Sequence, residues 1–366
     1  MSLVATRLQN WRVSNPELDR NSTRPCEYGA LNFFVRETNS PISIISQNLK
    51  DKAFASIGNT LQVPVIDTDG EVNVASTRTC TIADDDNTSS LYTVVWQTLQ
   101  VGFTMVPASY SNNEIGYQHD YNRKMEKVCR ALANKLDEKA VAALEAAKTQ
   151  VLKDKLNYEF EANVVKAKRE MAGDLLGDLG TMMRSNCFYR QINVIGNGGV
   201  ESLVRKLSQH GIYNDTNKQN EYMDKVFHFT NNVTNAVGQN GTLFAVESGN
   251  VGVLTRVDRE ALRGAKSNGH EWGVTRLPYI DLPVGYHYYT AVGDQSATNG
   301  DATADLVCGI KEYFGFSMDV AFVIAHNSAP ATYANPIIKA QIAAAAQNQP
   351  FATPIFVVNG GGGVGA

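Results

Sequence analysis

Residues 112–152 read NNEIGYQHDYNRKMEKVCRALANKLDEKAVAALEAAKTQVL, and from Tyr117 onward they contain neither Gly nor Pro. Ala, Leu, Lys and Glu dominate the run. These residues lose little rotamer freedom on a helix and bury no polar group there. Asn112 or Asn113 is placed to cap the start, and Glu114 complements the positive end of the helix dipole. At ~1.5 Å per residue the helix would span roughly 50–60 Å, far more than an ordinary globular helix. Its apolar stripe is Tyr117, Tyr121, Met125, Val128, Leu132, Leu136, Ala140, Leu144, Ala147 and Val151. The steps average about 3.8 residues, against ~3.6 per helical turn, so the stripe drifts around the helix. A heptad seam would need a period of 3.5. The spacing therefore predicts a spine with different elements packed along its length.

The remaining chain is long enough to bury a sizeable core in one large or two modest domains. Its net charge of −4 excludes the strongly basic balance of a dedicated nucleic-acid binder. Met1 is not followed by a basic and then apolar segment, so no signal peptide is expected. No apolar run reaches the ~18 residues a membrane span requires. The five cysteines (Cys26, Cys80, Cys129, Cys187, Cys308) form no CxxC, and reduced, mostly buried thiols are expected.

Residues 1–45 mix arginines with acids and hold no long period, which reads as an arm ordered against something else. In QVPVIDTDGEVNVAS, Val63 and Val65 precede Asp69-Gly70, and Val72 and Val74 follow it. Alternation around Asp-Gly predicts a hairpin, because Gly accepts the positive φ of a type I′ turn. Pro64 suits an edge or projecting ribbon rather than a central strand. Asp84 to Ser90 reads as a solvated loop. Leu91–Pro107 reads as one or two strands, with Leu99, Val101, Phe103 and Met105 on one face. After the spine, LNYEFEANV alternates as a strand or hairpin arm, and residues 168–185 return to helical spacing. GNGGVESLVRKLSQHG is a short helix with Gly211 as its stop. Strands dominate from Glu221 to Ile324, the last carrying Phe314, Phe316, Met318, Val320 and Phe322 on one face. The end has an Ala-rich turn of helix and a Gly-rich tail.

No catalytic constellation emerges. The six histidines fall in six segments without HExxH or HxH, and no GxSxG elbow occurs. GNGG lacks the lysine and hydroxyl of a P-loop and reads as a tight turn capping a helix. Asp137 and Glu138 sit between Lys135 and Lys139 as solvated surface charges. The YHYY run at Tyr286–Tyr289, near Trp272, reads as a strand with alternating buried and exposed aromatics. No cofactor, metal ligand set or enzymatic activity is expected.

The order of elements resembles the major capsid protein of tailed bacteriophages, with the HK97-like fold. RALANKLDEKAVAALEAAKTQ (130–150) looks like that family's spine helix. VGFTMVP and FGFSMDVAFVIAHNS (314–328) look like strands of its peripheral domain. The resemblance implies an α+β fold with an N-terminal arm (1–45), an extended β-hairpin loop (46–90) and a peripheral domain (91–165) containing the spine at 113–152. An axial domain (166–305) and a return strand with the tail (306–366) complete it. It implies self-assembly as hexamers and pentamers into an icosahedral shell around double-stranded DNA, in a virion assembled in the bacterial cytoplasm. Val63, Val65, Asp69, Gly70, Val72 and Val74 would make inter-subunit contacts. Tyr121, Met125, Val128, Leu132, Leu136 and Leu144 would form the spine core. Implied partners are further copies, portal and scaffolding or decoration proteins, and DNA held weakly and without sequence preference; no membrane is implied. A tail or sheath subunit forming helical assemblies is the alternative, although a tail-tube protein would be mainly β. Some members of the family lock their shells through a loop lysine. Here residues 53–123 contain none, so a non-covalent shell is expected.

Overall fold

Helices α1 (Leu3–Ser14), α2 (Gly29–Thr38) and α3 (Gln47–Ala55) come first, followed by strands β1 (Gln62–Ile66), β2 (Ser89–Thr93) and β3 (Gln97–Met105). A 3-10 turn at Pro107–Tyr110 leads into the long helix α4 (Glu114–Ala146). Next come β4 (Glu159–Glu161), β5 (Val164–Ala167), α5 (Ala172–Ser185), β6 (Ile192–Gly196), α6 (Gly198–Gln209), β7 (Glu221–Tyr222), β8 (Lys225–Phe229) and β9 (Gln239–Glu247). The chain closes with β10 (Val251–Arg256), α7 (Arg259–Arg263), β11 (Lys266–Ser267), β12 (His270–Arg276), β13 (Pro283–Gln295), β14 (Val307–Ile324) and β15 (Ile337–Ala343). The computed structural model describes residues 3–14, 28–56, 60–66, 89–110, 113–209, 221–222, 225–295, 307–325 and 331–344. The architecture is α+β.

Two compact units divide the chain. The first comprises 1–143 with 249–328, and the second 144–248 with 329–366. Residues 249–305 thus group with the N-terminal part, whereas the sequence boundaries place them with 166–248. In α4, Asn113 is the cap: its Oδ1 accepts from Gly116 N at 2.9 Å. The helix stops at Ala146 rather than running to Leu152. Thr149 turns the chain, donating its N–H to Ile337 O at 2.8 Å and its hydroxyl to Val151 O at 2.7 Å. Ala147 O accepts from Asn335 Nδ2 at 3.2 Å, so a terminal carbonyl finds its partner outside the helix.

In the first unit β14 is the organising strand. One of its edges pairs with β13 over Val307–Ser317 and then with β10 over Asp319–Ile324. The other edge pairs with β3 over Glu312–Val320. β12 lies on β13, and β11 on β12. Phe314, Phe316, Met318 and Val320 are buried along one face, and Phe322 is half-buried against Phe34, with ring centroids 5.0 Å apart. On the opposite face Ala321 and Val323 pack with Ile45, Ala53, Val94 and Leu254, so this end of the sheet is covered on both sides.

The arm reading of residues 1–45 needs correction. α1 and α2 occupy much of it, and Trp11, Leu31, Phe33 and Phe34 are fully buried within the unit. Each helix is short, and Asn, Arg and Thr interrupt its apolar residues, so no long period shows in the sequence.

β1 and β2 pair only with each other among the described residues, from Gln62↔Thr93 to Ile66↔Ser89. The partner of Val63 and Val65 is therefore the 89–93 strand, and Ser89–Ser90 is strand rather than loop. Asp69, Gly70, Val72 and Val74 lie outside the described residues. Val94 N donates to Leu61 O at 2.9 Å, closing the base of the ribbon.

The second unit is a seven-stranded sheet in the order β4-β5-β15-β9-β6-β8-β7. Leu175, Leu176, Leu179, Met182 and Met183 of α5 pack in one core with Val165, Val194, Phe227 and Ile338. The alternation of LNYEFEANV breaks at Ala162-Asn163, where φ values of 51° and 62° make a two-residue turn between β4 and β5. The Ala-rich turn of helix expected near the end is overturned in part: Ile337–Ala343 is strand β15, paired between β5 and β9. Burial of Ile337, Ile338, Ala340 and Ile342 outweighs the helix preference of alanine. The GNGG segment turns tightly because Gly199 lies against Asn240, where a Cβ would sit 1.8 Å from its carbonyl oxygen. Asn197 Oδ1 accepts from Val200 N and Thr242 N, both at 3.3 Å, so this helix start is already occupied by its own side chain.

Candidate functional site

The ribbon of β1 and β2 is the first candidate. Two strands without a third are marginal in water, and Pro64 sits in one of them without an N–H to donate. Tyr92 and Val95 are exposed near its base. Of the sequence-named loop residues, Val63 and Val65 stand opposite Tyr92 and Ser90.

The spine is the second. Tyr121, Met125, Val128, Leu132, Leu136 and Leu144 are all buried. Tyr121 meets Phe103 and Phe314 edge-on, at 5.5 and 5.3 Å between centroids. Farther along, Asp137 is fully buried, which corrects its reading as a surface charge. Its Oδ1 accepts from Leu31 N at 2.9 Å, in the first turn of α2, where a carboxylate satisfies an orphan donor and faces the positive end of the dipole. Glu138, one position on, is exposed and pairs with Lys135. Only the tertiary contact distinguishes these two acids.

A buried polar network ties α1 to the sheet. Arg7 lies over the Tyr117 ring at 4.4 Å, donates to the Tyr117 hydroxyl, and pairs with Glu312 Oε2 at 3.3 Å. Tyr117 donates to the same carboxylate oxygen, and Tyr288 donates to Glu312 Oε1 at 2.9 Å. Burial first, then the Glu312 carboxylate, pushes both tyrosine hydroxyls above their ordinary pKa. Tyr110 is pushed up to about 12 by burial and by its bond to Asp120. Both Glu312 oxygens are engaged, so the cluster fixes elements rather than presenting a reactive group. Nothing in the sequence marked Glu312 apart from other acids on a strand.

On the opposite sheet face a row of half-buried rings runs across three strands. Trp272 stacks on His287 at 4.6 Å, His270 on Tyr289 at 5.0 Å and Tyr289 on Tyr313 at 4.5 Å. This is the outward half of the alternation expected for YHYY; inward-facing Tyr286 donates to Glu271 at 3.1 Å. Beside the sheet, a groove of about 360 Å³ opens between β3 and α4, lined by Val101, Phe103, Lys124, Lys127, Val128 and Ala131. Lys124 donates to Thr104 O at 3.1 Å across it.

Among the described residues no group of three or more His, Cys, Asp or Glu side chains could hold a metal ion, and no helix is long and apolar enough to cross a membrane. Of the cysteines whose side chains are described, Cys129 is buried and Cys187 exposed.

No protein-family model matches the chain, and no curated protein matches it. Among solved structures it is similar to a chain of the cyanophage A-1(L) capsid asymmetric unit, at 13% identity and a TM-score of 0.47, covering 85% of this chain and 92% of that one. A chain from the capsid of Myoviridae phage XM1 is similar at 13% identity and a TM-score of 0.41, covering 83% and 90%. Another from the capsid of cyanophage P-SCSP1u is similar at 12% identity and a TM-score of 0.43, covering 79% and 84%.

Proposed function

We propose that the chain is a major capsid protein of a tailed bacteriophage with the HK97-like fold, a structural rather than enzymatic protein that assembles into a closed shell. The observation that carries this reading is the β1–β2 ribbon. It is a two-stranded element with no third strand among the described residues, joined at a base that one hydrogen bond already closes. Such an element adds little to its own subunit and gains burial when it lies on another copy. In this reading the 46–90 segment, including Val63, Val65, Asp69, Gly70, Val72 and Val74, makes inter-subunit contacts. Helix α4 is the spine, with Tyr121 to Leu144 as its buried stripe. With the boundaries of the two compact units, the peripheral domain draws on 91–143 with the strands of 249–328, and the axial domain on 144–248 with β15.

Hexamers and pentamers of the chain would enclose double-stranded DNA, with portal and scaffolding or decoration proteins as further partners and the host cytoplasm as the place of assembly. A net charge of −4 supports only weak, salt-sensitive contact with the genome. Electron microscopy of the purified, overexpressed full chain tests the proposal. Closed shells are expected. Open tubes would move the assignment to a tail or sheath subunit, and dispersed monomers at high concentration would remove the self-assembly reading altogether.

A further inference from the structure

Arg256, the last residue of β10, touches both feet of the β1–β2 ribbon. Its Cζ lies 4.4 Å from the centre of the Trp96 ring, on the chain that leaves the ribbon. Its Nη1 donates to Ser56 O at 3.2 Å, on the chain that approaches it. Ser56 caps the C-terminal end of α3, where the helix dipole is negative and a guanidinium is favoured. The third hold is on the sheet. Nε donates to Asp319 Oδ2 at 2.8 Å, across the β10–β14 register that sets the two residues opposite each other. Asp319 also stands opposite Thr98 of β3, whose hydroxyl donates to its Oδ1 at 2.6 Å. One carboxylate thus ties Arg256 to the strand that carries the ribbon's outgoing chain.

Apolar packing closes the base of the ribbon without giving it a direction. Leu61, Val94 and Trp96 pack with Leu254 and Ala321, and contacts of this kind are non-directional. Trp96 Nε1 is buried with no hydrogen-bond partner among the described residues, so the indole is placed by its ring and not by its N–H. A guanidinium is different, because its donors lie in a fixed planar fork and its face stacks on aromatic rings. In Arg256 the face, Nε and Nη1 are all engaged, and the side chain is only 14% exposed. It is satisfied in one arrangement of α3, β14 and Trp96.

We propose that Arg256 is the positioning residue of the ribbon: its guanidinium fixes the angle at which β1 and β2 leave the sheet, and so where the ribbon meets a second copy of this chain. The proposal rests on the reading of the ribbon as an inter-subunit element. Lysine is no substitute, since one ammonium pairs with Asp319 but has neither the flat face nor the second fixed donor. Without the guanidinium the base is still closed by the Val94–Leu61 hydrogen bond and the apolar cluster, so the subunit folds and the ribbon loses its fixed direction.

The test compares the full-length parent with Arg256→Lys and Arg256→Met by amide hydrogen exchange, on dispersed subunits separated from larger particles by size. Both variants should melt cooperatively. Exchange at Val94 and along β1 and β2 should be faster by roughly tenfold or more, while exchange along β13 and β14 is unchanged. Electron microscopy should show several-fold fewer closed shells for both variants than for the parent. If Arg256→Met does not fold, Arg256→Lys, which keeps the pair with Asp319, decides alone. Ribbon exchange at the parent rate in Arg256→Lys would show that charge without the fork suffices, and would overturn the proposal. An equal rise throughout the sheet would overturn it too, since the effect would then be a general loosening. Because exchange is read on subunits, it decides the role of Arg256 even where the parent forms no closed shells, the result that removes the shell reading.

Discussion

Two carboxylates show how much of this molecule is decided one side chain at a time. Asp137 is surrounded in sequence by the same charges as Glu138, yet it is buried and bonded to Leu31 N, and no local pattern reveals that. Asp137→Ala leaves that amide without its acceptor inside the protein, and urea unfolding should show a loss of about 1–3 kcal/mol. Glu138→Ala should change stability by less than about 0.5 kcal/mol; equal effects would mean that the cap contributes nothing. Glu145, in the last turn of α4, is held between Lys148 at 2.6 Å and Lys339 at 2.7 Å. Burial alone would raise its pKa, but the two ammonium groups outweigh it and the net shift is downward. A depressed carboxylate stabilises the fold above its unfolded pKa of about 4.3, and that contribution is lost as pH falls through the folded value. Glu145 is partly exposed, so Glu145→Gln should cost less than about 1 kcal/mol at pH 7. The gap to the parent should close in the acid range below about pH 4. A gap of equal size at pH 7 and pH 3 would show that the ion pairs are not its source.

Elements were legible where local preference and burial agree. The spine is rich in Ala, Leu, Lys and Glu and carries a continuous stripe, so spacing alone identifies the buried residues Tyr121, Met125, Val128, Leu132, Leu136 and Leu144. Leu136→Ala should lower stability by roughly 2–5 kcal/mol in chemical denaturation, because α4 cannot collapse onto the space left behind. β15 was illegible for the opposite reason: alanine favours helix, and only the positions of β5 and β9 make that segment a strand. The row of stacked rings through Trp272, His287 and Tyr289 required the register of β12 on β13, which pattern does not supply. The ribbon was legible as a ribbon, through Pro64 and the alternating valines, but the 89–93 partner was not, because Ser89-Ser90 resembles loop. Since Val94 N already bonds to Leu61 O, replacing residues 62–93 with a four-residue Gly/Ser linker should leave a cooperatively melting subunit that forms no stable shells. If the excised chain melts without cooperativity, the ribbon belongs to the subunit's own core instead.

For the molecule as a whole, the proposed shell is expected to be held without covalent links through the ribbon. The stretch 53–123 contains no lysine, and its arginines, Arg78 and Arg123, stay protonated at any workable pH and so are no nucleophiles. Lys50, at the base of the ribbon, is already engaged, donating to Thr38 O at 2.6 Å. Mature particles boiled in detergent should run as a single band near 40.0 kDa on a denaturing gel, and a ladder resistant to reductant would contradict this. The topology also sets a timetable. β14 joins β3, β10 and β13, and β15 joins β5 to β9, so each of the two larger sheets is held together by the strand made last in it. With translation at ~5–20 residues per second, β3 and β5 wait roughly ten to forty seconds for their partners. A chain released before Val307 has neither sheet complete. The order of synthesis therefore decides when each sheet can close, and the last strand made in each is the one that closes it.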